Sequence, residues 1–175
     1  RILNQNKIEC EVQPSYIDED AVKESLHKQN ATPEIISKNL AELKSNKVSQ
    51  KFPESFVIGA DSVIDLMGRV ISKPKDRKEA LKILKNLNGK SHNLISSVCI
   101  SKNGGMIWNY TDKAILTMKT MTDEMLEEYL SKISDKDLYA YNVYQIEGLG
   151  RNLFSNIEGN ENTIMGLPVE KIKEF

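Results

Sequence analysis

Val57-Ile58-Gly59-Ala60-Asp61-Ser62-Val63-Ile64-Asp65-Leu66 is the stretch that decides how this chain is read. It is an apolar run suited to a buried strand, with a carboxylate set directly after a Gly-Ala pair. A carboxylate in such a place is costly unless it has a partner or a task. Met67-Gly68 then offers a two-residue turn into Arg69-Val70-Ile71-Ser72, with Lys73-Pro74 next. If that turn forms, Leu66 faces Arg69, Ser62 lies opposite Lys73, and Asp61 lies opposite Pro74. Side chains alternate between faces along a regular ladder, so Asp61 and Lys73 reach one pocket only where the ladder bends or ends. Gly59-Ala60 and Pro74 favour such a break, and Pro74 biases Lys73 toward an extended backbone. Two readings stand. Asp61 binds a divalent cation or orients water while Lys73 neutralises phosphate, the two jobs that phosphoanhydride hydrolysis requires. Alternatively the two residues form a salt bridge at a sheet end.

Outward from this hairpin, strands and helices alternate and then strands pair. Ile8-Glu9-Cys10-Glu11-Val12 alternates apolar and polar residues and predicts a strand closed by Pro14. Asp18-Glu19-Asp20 opens a helix carrying Val22 and Leu26. Thr32-Pro33 is an N-cap with proline at the first helical position, and Ile35, Ile36, Leu40 and Leu43 form the apolar face behind it, with Lys44 at the helix end. Asp76 and Glu79 make a capping-box pattern ahead of Ala80, Leu81, Leu84 and Leu87, and Gly89 stops that helix. His92 to Ser101 predicts a strand that turns at Lys102-Asn103-Gly104-Gly105 into Met106 to Tyr110, with a further strand from Ala114 to Met118. Thr122-Asp123-Glu124 opens a helix with Met125, Leu126, Tyr129 and Leu130. Tyr144 to Gly148 predicts a strand ending in a glycine loop, and Pro168 to Phe175 a last helix. The pattern describes an α/β protein with a mixed sheet flanked by helices, not a purely parallel one.

The 175 residues suit one domain of two lobes, with 39% hydrophobic and 28% charged residues and a net charge of −1. That balance gives no general pull toward nucleic acid or membrane. No apolar run reaches the ~18 residues of a membrane span, and no signal peptide is visible. A reducing cytoplasm is the expectation, with Cys10 and Cys99 as buried reduced thiols. The chain opens at Arg1 without a methionine, so further residues are expected in front of it.

The remaining clusters are individually ambiguous. Ser15-Tyr16-Ile17-Asp18-Glu19-Asp20 puts three acids before a helix, either complementing its dipole or binding metal. Glu147 precedes Gly148 where it can accept hydrogen bonds from a nucleobase edge or simply be solvated. Gly148, Gly150, Gly159 and Gly166 suit tight turns or bare backbone near a ligand. His27 and His92 are isolated, no spacing suggests zinc, and no P-loop or dinucleotide fingerprint occurs. The basic run from Lys73 to Lys85 reads as a solvated helix face.

In order, Val57-Ile58-Gly59-Ala60-Asp61-Ser62, Ser72-Lys73-Pro74-Lys75-Asp76, Leu87-Asn88-Gly89-Lys90-Ser91-His92, Tyr144-Gln145-Ile146-Glu147-Gly148-Leu149-Gly150 and Gly166-Leu167-Pro168 resemble the Maf family of nucleotide pyrophosphatases, also called septum-formation proteins. The resemblance covers nearly the whole chain and implies a single Maf-like domain over residues 1–175. It implies a two-lobed mixed α/β fold with an elongated sheet and a central cleft, similar to the inosine triphosphate pyrophosphatases. The implied reaction is hydrolysis of a nucleoside triphosphate to monophosphate and pyrophosphate with Mg²⁺ or Mn²⁺, often by a homodimer. Carried over residue by residue, Asp61 matches the family's catalytic acid and Glu19 a metal or water ligand. Lys44 and Lys73 match lysines that contact phosphates.

Three departures bear on substrate and on activity. The family's Ser-x-Ser-Pro-Arg-Arg-like loop, which grips the triphosphate, falls before Arg1 by alignment. Ser62 stands where many members have Thr or Gln, and Glu147 where the pyrimidine-preferring branch usually has Gln. A carboxylate only accepts hydrogen bonds, which favours a donor-rich edge such as that of guanine. The branch preferring 7-methylguanosine triphosphate also resembles this chain in having Glu there, whereas Gly-Ala-Asp-Ser is nearer the pyrimidine branch. The alternatives are thus a 7-methyl-GTP-specific pyrophosphatase or a non-catalytic nucleotide-binding regulator of cell division.

Overall fold

A computed structural model describes the backbone of residues 1–175 and every side chain except those of Ala140 and Tyr141. The helices are α1 (Ile2–Gln5), α2 (Glu19–Lys28), α3 (Pro33–Ser49), α4 (Arg77–Leu87), α5 (Asp123–Ser131), α6 (Asp135–Tyr141), α7 (Glu161–Ile164) and α8 (Val169–Glu174). The strands are β1 (Val57–Leu66), β2 (Arg69–Ile71), β3 (Ser91–Lys102), β4 (Gly105–Met118) and β5 (Phe154–Glu158). They form one sheet in the order β2-β1-β3-β4-β5, and the β1–β2 and β4–β5 pairs are antiparallel. This is the expected α/β class, a sheet flanked by helices.

Local chemistry explains the boundaries. Asp18, Thr32, Asp76, Thr122 and Ser134 each accept a backbone N–H two or three residues into the helix that follows. The β1–β2 turn places Met67 and Gly68 at positive φ, 53° and 82°, as a two-residue hairpin of this hand requires. Its register pairs Leu66 with Arg69, Asp65 with Val70 and Ile64 with Ile71. Asp65 serves that turn: Oδ1 accepts from Gly68 N at 2.8 Å and Oδ2 from Asn93 Nδ2 at 2.9 Å. The ladder stops at Ile71, so Ser72, Lys73 and Pro74 are irregular.

The chain divides into two compact units. The first holds Arg1–Val63, Ile95–Lys113 and Asn160–Phe175; the second holds Ile64–Leu94 and Ala114–Gly159. In the first unit the period of two is kept across the sheet. Odd-numbered Gly59 and Asp61 of β1 and Cys99 and Ser101 of β3 meet α3. Even-numbered Val98 and Ile100 pack with Leu167 and Ile172, flanked by Ile58, Ala60, Trp108 and Tyr110. In the second unit α4 lies against α5, joined by Lys85–Asp123 at 2.7 Å and by Arg77 donating to the Leu130 carbonyl at 2.8 Å.

Several expectations are corrected. Ile8 to Val12 forms no strand and Cys10 is exposed, because alternation supplies side chains for a strand but no hydrogen-bonding neighbour. Tyr144 to Gly148 is a turn leading into the 3-10 helix Leu149–Leu153. The two strands expected between Met106 and Met118 are one. On α3, Ile36 and Leu40 are buried but Ile35 and Leu43 stay 46% and 40% exposed. The stripe that faces the sheet is instead made of small residues, Ser37, Ala41, Ser45 and Ser49.

Candidate functional site

Gly59 determines how closely α3 approaches β1. A Cβ there would lie 2.3 Å from the Ala41 carbonyl and 2.6 Å from Ser45 N, both backbone atoms that cannot swing away. Glycine is needed here for space, since its backbone is not in the left-handed region. The small stripe on α3 is the other half of that fit. Ser37 Oγ donates to the Asp61 carbonyl at 2.9 Å and so ties the two elements together where the acid stands.

Asp61 is 8% exposed and points to the α3 side. Lys44 lies in the interior of α3, with Ser49 still five residues on, so it does not serve the helix C-terminus. Its Nζ donates to Asp61 Oδ1 at 2.8 Å, pairs with Glu19 Oε1 at 2.8 Å and lies 3.4 Å from the Ala60 carbonyl. Glu19 arrives on the first turn of α2, where Asp18 takes the N-cap role and leaves Glu19 to reach inward. Lys23 sits 3.8 Å from Glu19, and Lys47 donates to the Tyr16 carbonyl at 2.7 Å, holding the preceding loop against α3.

The electrostatics raise the Asp61 carboxyl above its ordinary value. Burial pushes the Asp61 carboxyl up, and the Lys44 charge only partly offsets it; the Glu19 charge adds to the rise. Burial pulls the Lys44 ammonium down, but Asp61 and Glu19 outweigh that, and it is held above its ordinary value. Asp61 Oδ2 is buried and has no hydrogen-bond partner among the described residues. An unsatisfied buried carboxylate oxygen is expensive, and a water or a cation is what would satisfy it.

Ser62, next in β1, points to the opposite face and is exposed. Its Oγ lies 2.7 Å from Ser96 Oγ on β3 and 3.5 Å from the Gly166 carbonyl. The first unit therefore gathers Glu19, Lys44 and Asp61 into one ion cluster, with Ser62 adjacent in the chain. Lys73 and Glu147 belong to the second unit. Both are exposed, Lys73 in the loop after β2 and Glu147 in the turn before Gly148. Asp61 pairs with Lys44, not with the lysine that the hairpin alone suggested. Residues missed in the sequence are Ser37, which fixes the Asp61 backbone, and Ser96. The spacing of four through Ser37, Ala41, Ser45 and Ser49 was the signal for the first. Lys44 also borders a cavity of ≈ 660 Å³, largely apolar, walled by Leu3, Ile8, Phe52, Ile100 and Phe175. Lys44 is the member of the ion cluster that reaches it; Asp61 and Glu19 are not among its lining residues.

A family model described as Maf-like protein matches residues 1–175. The chain belongs to the Maf-like family. Among its relatives, the nucleoside triphosphate pyrophosphatase of Pelagibacter ubique (strain HTCC1062) is 73% identical over all of this chain and 90% of its own length. A 7-methyl-GTP pyrophosphatase of Rhizobium etli is 40% identical over 91% of this chain and 80% of its own length. A nucleoside triphosphate pyrophosphatase of Ruegeria sp. (strain TM1040) is 35% identical over all of this chain and 88% of its own length. In this Maf-like chain the described residues include no group of three or more His, Cys, Asp or Glu placed to hold a metal. Asp61 and Glu19 supply two carboxylates, which suits a hard cation completed by substrate oxygens rather than a closed protein cage.

Proposed function

We infer that this chain is a nucleoside triphosphate pyrophosphatase, hydrolysing its substrate to nucleoside monophosphate and pyrophosphate, with residues 1–175 acting as one domain. The observation that carries the reading is Asp61: a buried carboxylate with a raised pKa, one oxygen held by Lys44 and the other without a partner among the described residues. Such a group is poised to take a proton from water as the water attacks phosphorus, and a pKa lifted toward neutrality serves that role. The pyrophosphate leaves with the electrons of the broken P–O bond. The names of the relatives support the same reaction.

Lys44 and Lys73 are assigned to the phosphates. Lys44 first holds Asp61 and Glu19 in place, and with both acids ionised the trio carries net negative charge. That charge would suit Mg²⁺ or Mn²⁺, for which Asp61 and Glu19 are the carboxylates at hand. When bound, the cation would offset phosphate charge developing in the transition state. Ser62 and Glu147 are assigned to the base. Glu147 accepts only, which favours donor-rich bases, including modified guanines, and suits removal of non-canonical or modified nucleotides. As such an enzyme it would work in the cytoplasm, where its substrates are, and as a homodimer, as the resemblance implies. No helix among the described residues is long and apolar enough to cross a membrane.

The test is pyrophosphate release by the full-length protein over canonical and modified triphosphates, 7-methyl-GTP included, with Mg²⁺ or Mn²⁺. At least one substrate should turn over, and Asp61→Asn should lower kcat by at least ~100-fold with the fold intact. Turnover no greater than that of Asp61→Asn for every triphosphate would remove the enzyme reading.

A further inference from the structure

Of the three residues in the ion cluster, Glu19 alone sits on an element without a buried residue. Apolar packing therefore does little to place α2 or the acid on its first turn. Two lysines of α3 do more. Lys44 Nζ pairs with Glu19 Oε1 at 2.8 Å, and three residues on, Lys47 Nζ donates to the Tyr16 carbonyl at 2.7 Å. Residues three apart on a helix are neighbours on its surface, so both ammoniums meet the short segment that leads into α2.

Tyr16 makes that support necessary. Its φ is 51°, in the left-handed region, where a side chain as bulky as tyrosine is rarely found. The ring is 78% exposed, so packing of the side chain does not hold the backbone there. Such a conformation persists only where the surroundings impose it. The Lys47 ammonium is placed to do so, since a return of Tyr16 to extended backbone would carry its carbonyl off Lys47. Two residues further on, Asp18 Oδ1 accepts from Ala21 N at 3.0 Å and starts α2, which sets the direction in which Glu19 leaves the chain.

We propose that Lys47 is a positioning residue: by holding Tyr16 in the left-handed region, it keeps the first turn of α2 against α3 and Glu19 in the ion cluster. The inference deepens the proposed function and rests on its assignment of Glu19 to the divalent cation. Without Lys47 the fraction of molecules with Glu19 in place falls. A cation that uses Glu19 then binds more weakly by that fraction, whereas saturating cation draws the segment back.

The experiment uses the full-length protein and two readouts. Hydrogen exchange followed by mass spectrometry reads the segment itself. In Lys47→Met, amides between Tyr16 and Lys28 should exchange about three- to tenfold faster, the range expected for one hydrogen bond, with those of β1 unchanged. Pyrophosphate release over a Mn²⁺ titration reads Glu19. Half-saturating Mn²⁺ should rise by a similar factor, with kcat at saturation nearly unchanged. Lys47→Arg keeps a donor and should restore both. Tyr16→Gly added to Lys47→Met should recover part of both losses, because glycine takes positive φ without steric cost. In a Glu19→Gln background, Lys47→Met should leave the Mn²⁺ requirement where Glu19→Gln sets it. A merely structural role would lower kcat at every Mn²⁺ concentration and would do so in both backgrounds. That pattern, or unchanged exchange or an unchanged Mn²⁺ requirement in Lys47→Met, overturns the proposal. If Glu19→Gln itself leaves the Mn²⁺ requirement unchanged while hydrolysis persists, Glu19 does not hold the cation, and the inference falls with that assignment but not with the enzyme reading.

Discussion

At the scale of the residue, the Lys44–Asp61 pair matters most, because it couples geometry to protonation. Lys44 is the principal influence holding the buried Asp61 carboxyl down against desolvation and the Glu19 charge. Replacing Lys44 with Met keeps the length of the side chain and removes the charge. Two carboxylates then face one space, and Asp61 goes further up. A base must be deprotonated to act, so the acid limb of the kcat/KM profile should move to higher pH in Lys44→Met, with activity at neutral pH down at least about tenfold. Lys44→Arg retains the charge and should move the limb far less. A Lys44→Met profile superimposable on that of the wild type would mean that Lys44 does not set the Asp61 proton equilibrium. The identity of Asp61 was legible from its sequence context; its partner was not. Lys73 stood nearer in the hairpin, and only the packing of α3 on β1 brings Lys44 to it.

At the scale of the element, helix starts were the most legible feature, because each is decided by a side chain and a backbone N–H a few residues away. Asp18, Thr32, Asp76 and Thr122 all cap as their sequences suggest. The β1–β2 register was legible for the same reason, since Met67-Gly68 has one comfortable turn. Strands fared worse wherever a distant neighbour was required. Ile8 to Val12 and Tyr144 to Gly148 have strand-like composition and no ladder, while β5 was overlooked although it pairs with β4 through Ile157 and Leu116. The α3–β1 contact is likewise non-local, and Gly59 tests it. In Gly59→Ala the new methyl meets backbone at 2.3 and 2.6 Å, so α3 must move. Overpacking of this kind costs about 1–3 kcal/mol, which for a chain of this size lowers Tm by roughly 2–12 °C. Because α3 carries Lys44 and β1 carries Asp61, kcat should fall as well at a temperature where the variant remains folded. A variant with unchanged Tm and kcat would show that the close approach is unimportant.

At the scale of the whole molecule, the ion cluster of Glu19, Lys44 and Asp61 belongs to the first unit. The second unit has a buried ionisable group of its own. His92 on β3 is 3% exposed, its Nε2 lies 2.8 Å from the Tyr144 hydroxyl, and Phe154 packs on its ring. Burial lowers its pKa from 6.5 to about 4, outweighing the Asp65 charge that opposes it. The folded state thus holds His92 neutral, while the unfolded chain takes up a proton below about pH 6.5. The contribution is fully present above that value and is lost as pH falls toward 4, the loss by then amounting to about 3 kcal/mol. Asp61 has the opposite sign, since a carboxyl raised in the folded state favours folding in acid. The two are separable by substitution. His92→Gln can still bond Tyr144 but cannot titrate. It should be less stable than the wild type at pH 7, and urea unfolding should show that deficit shrinking by about 3 kcal/mol between pH 7 and pH 4. A constant deficit across that range would mean that His92 is protonated in the folded protein, and that the acid sensitivity of the second unit lies elsewhere.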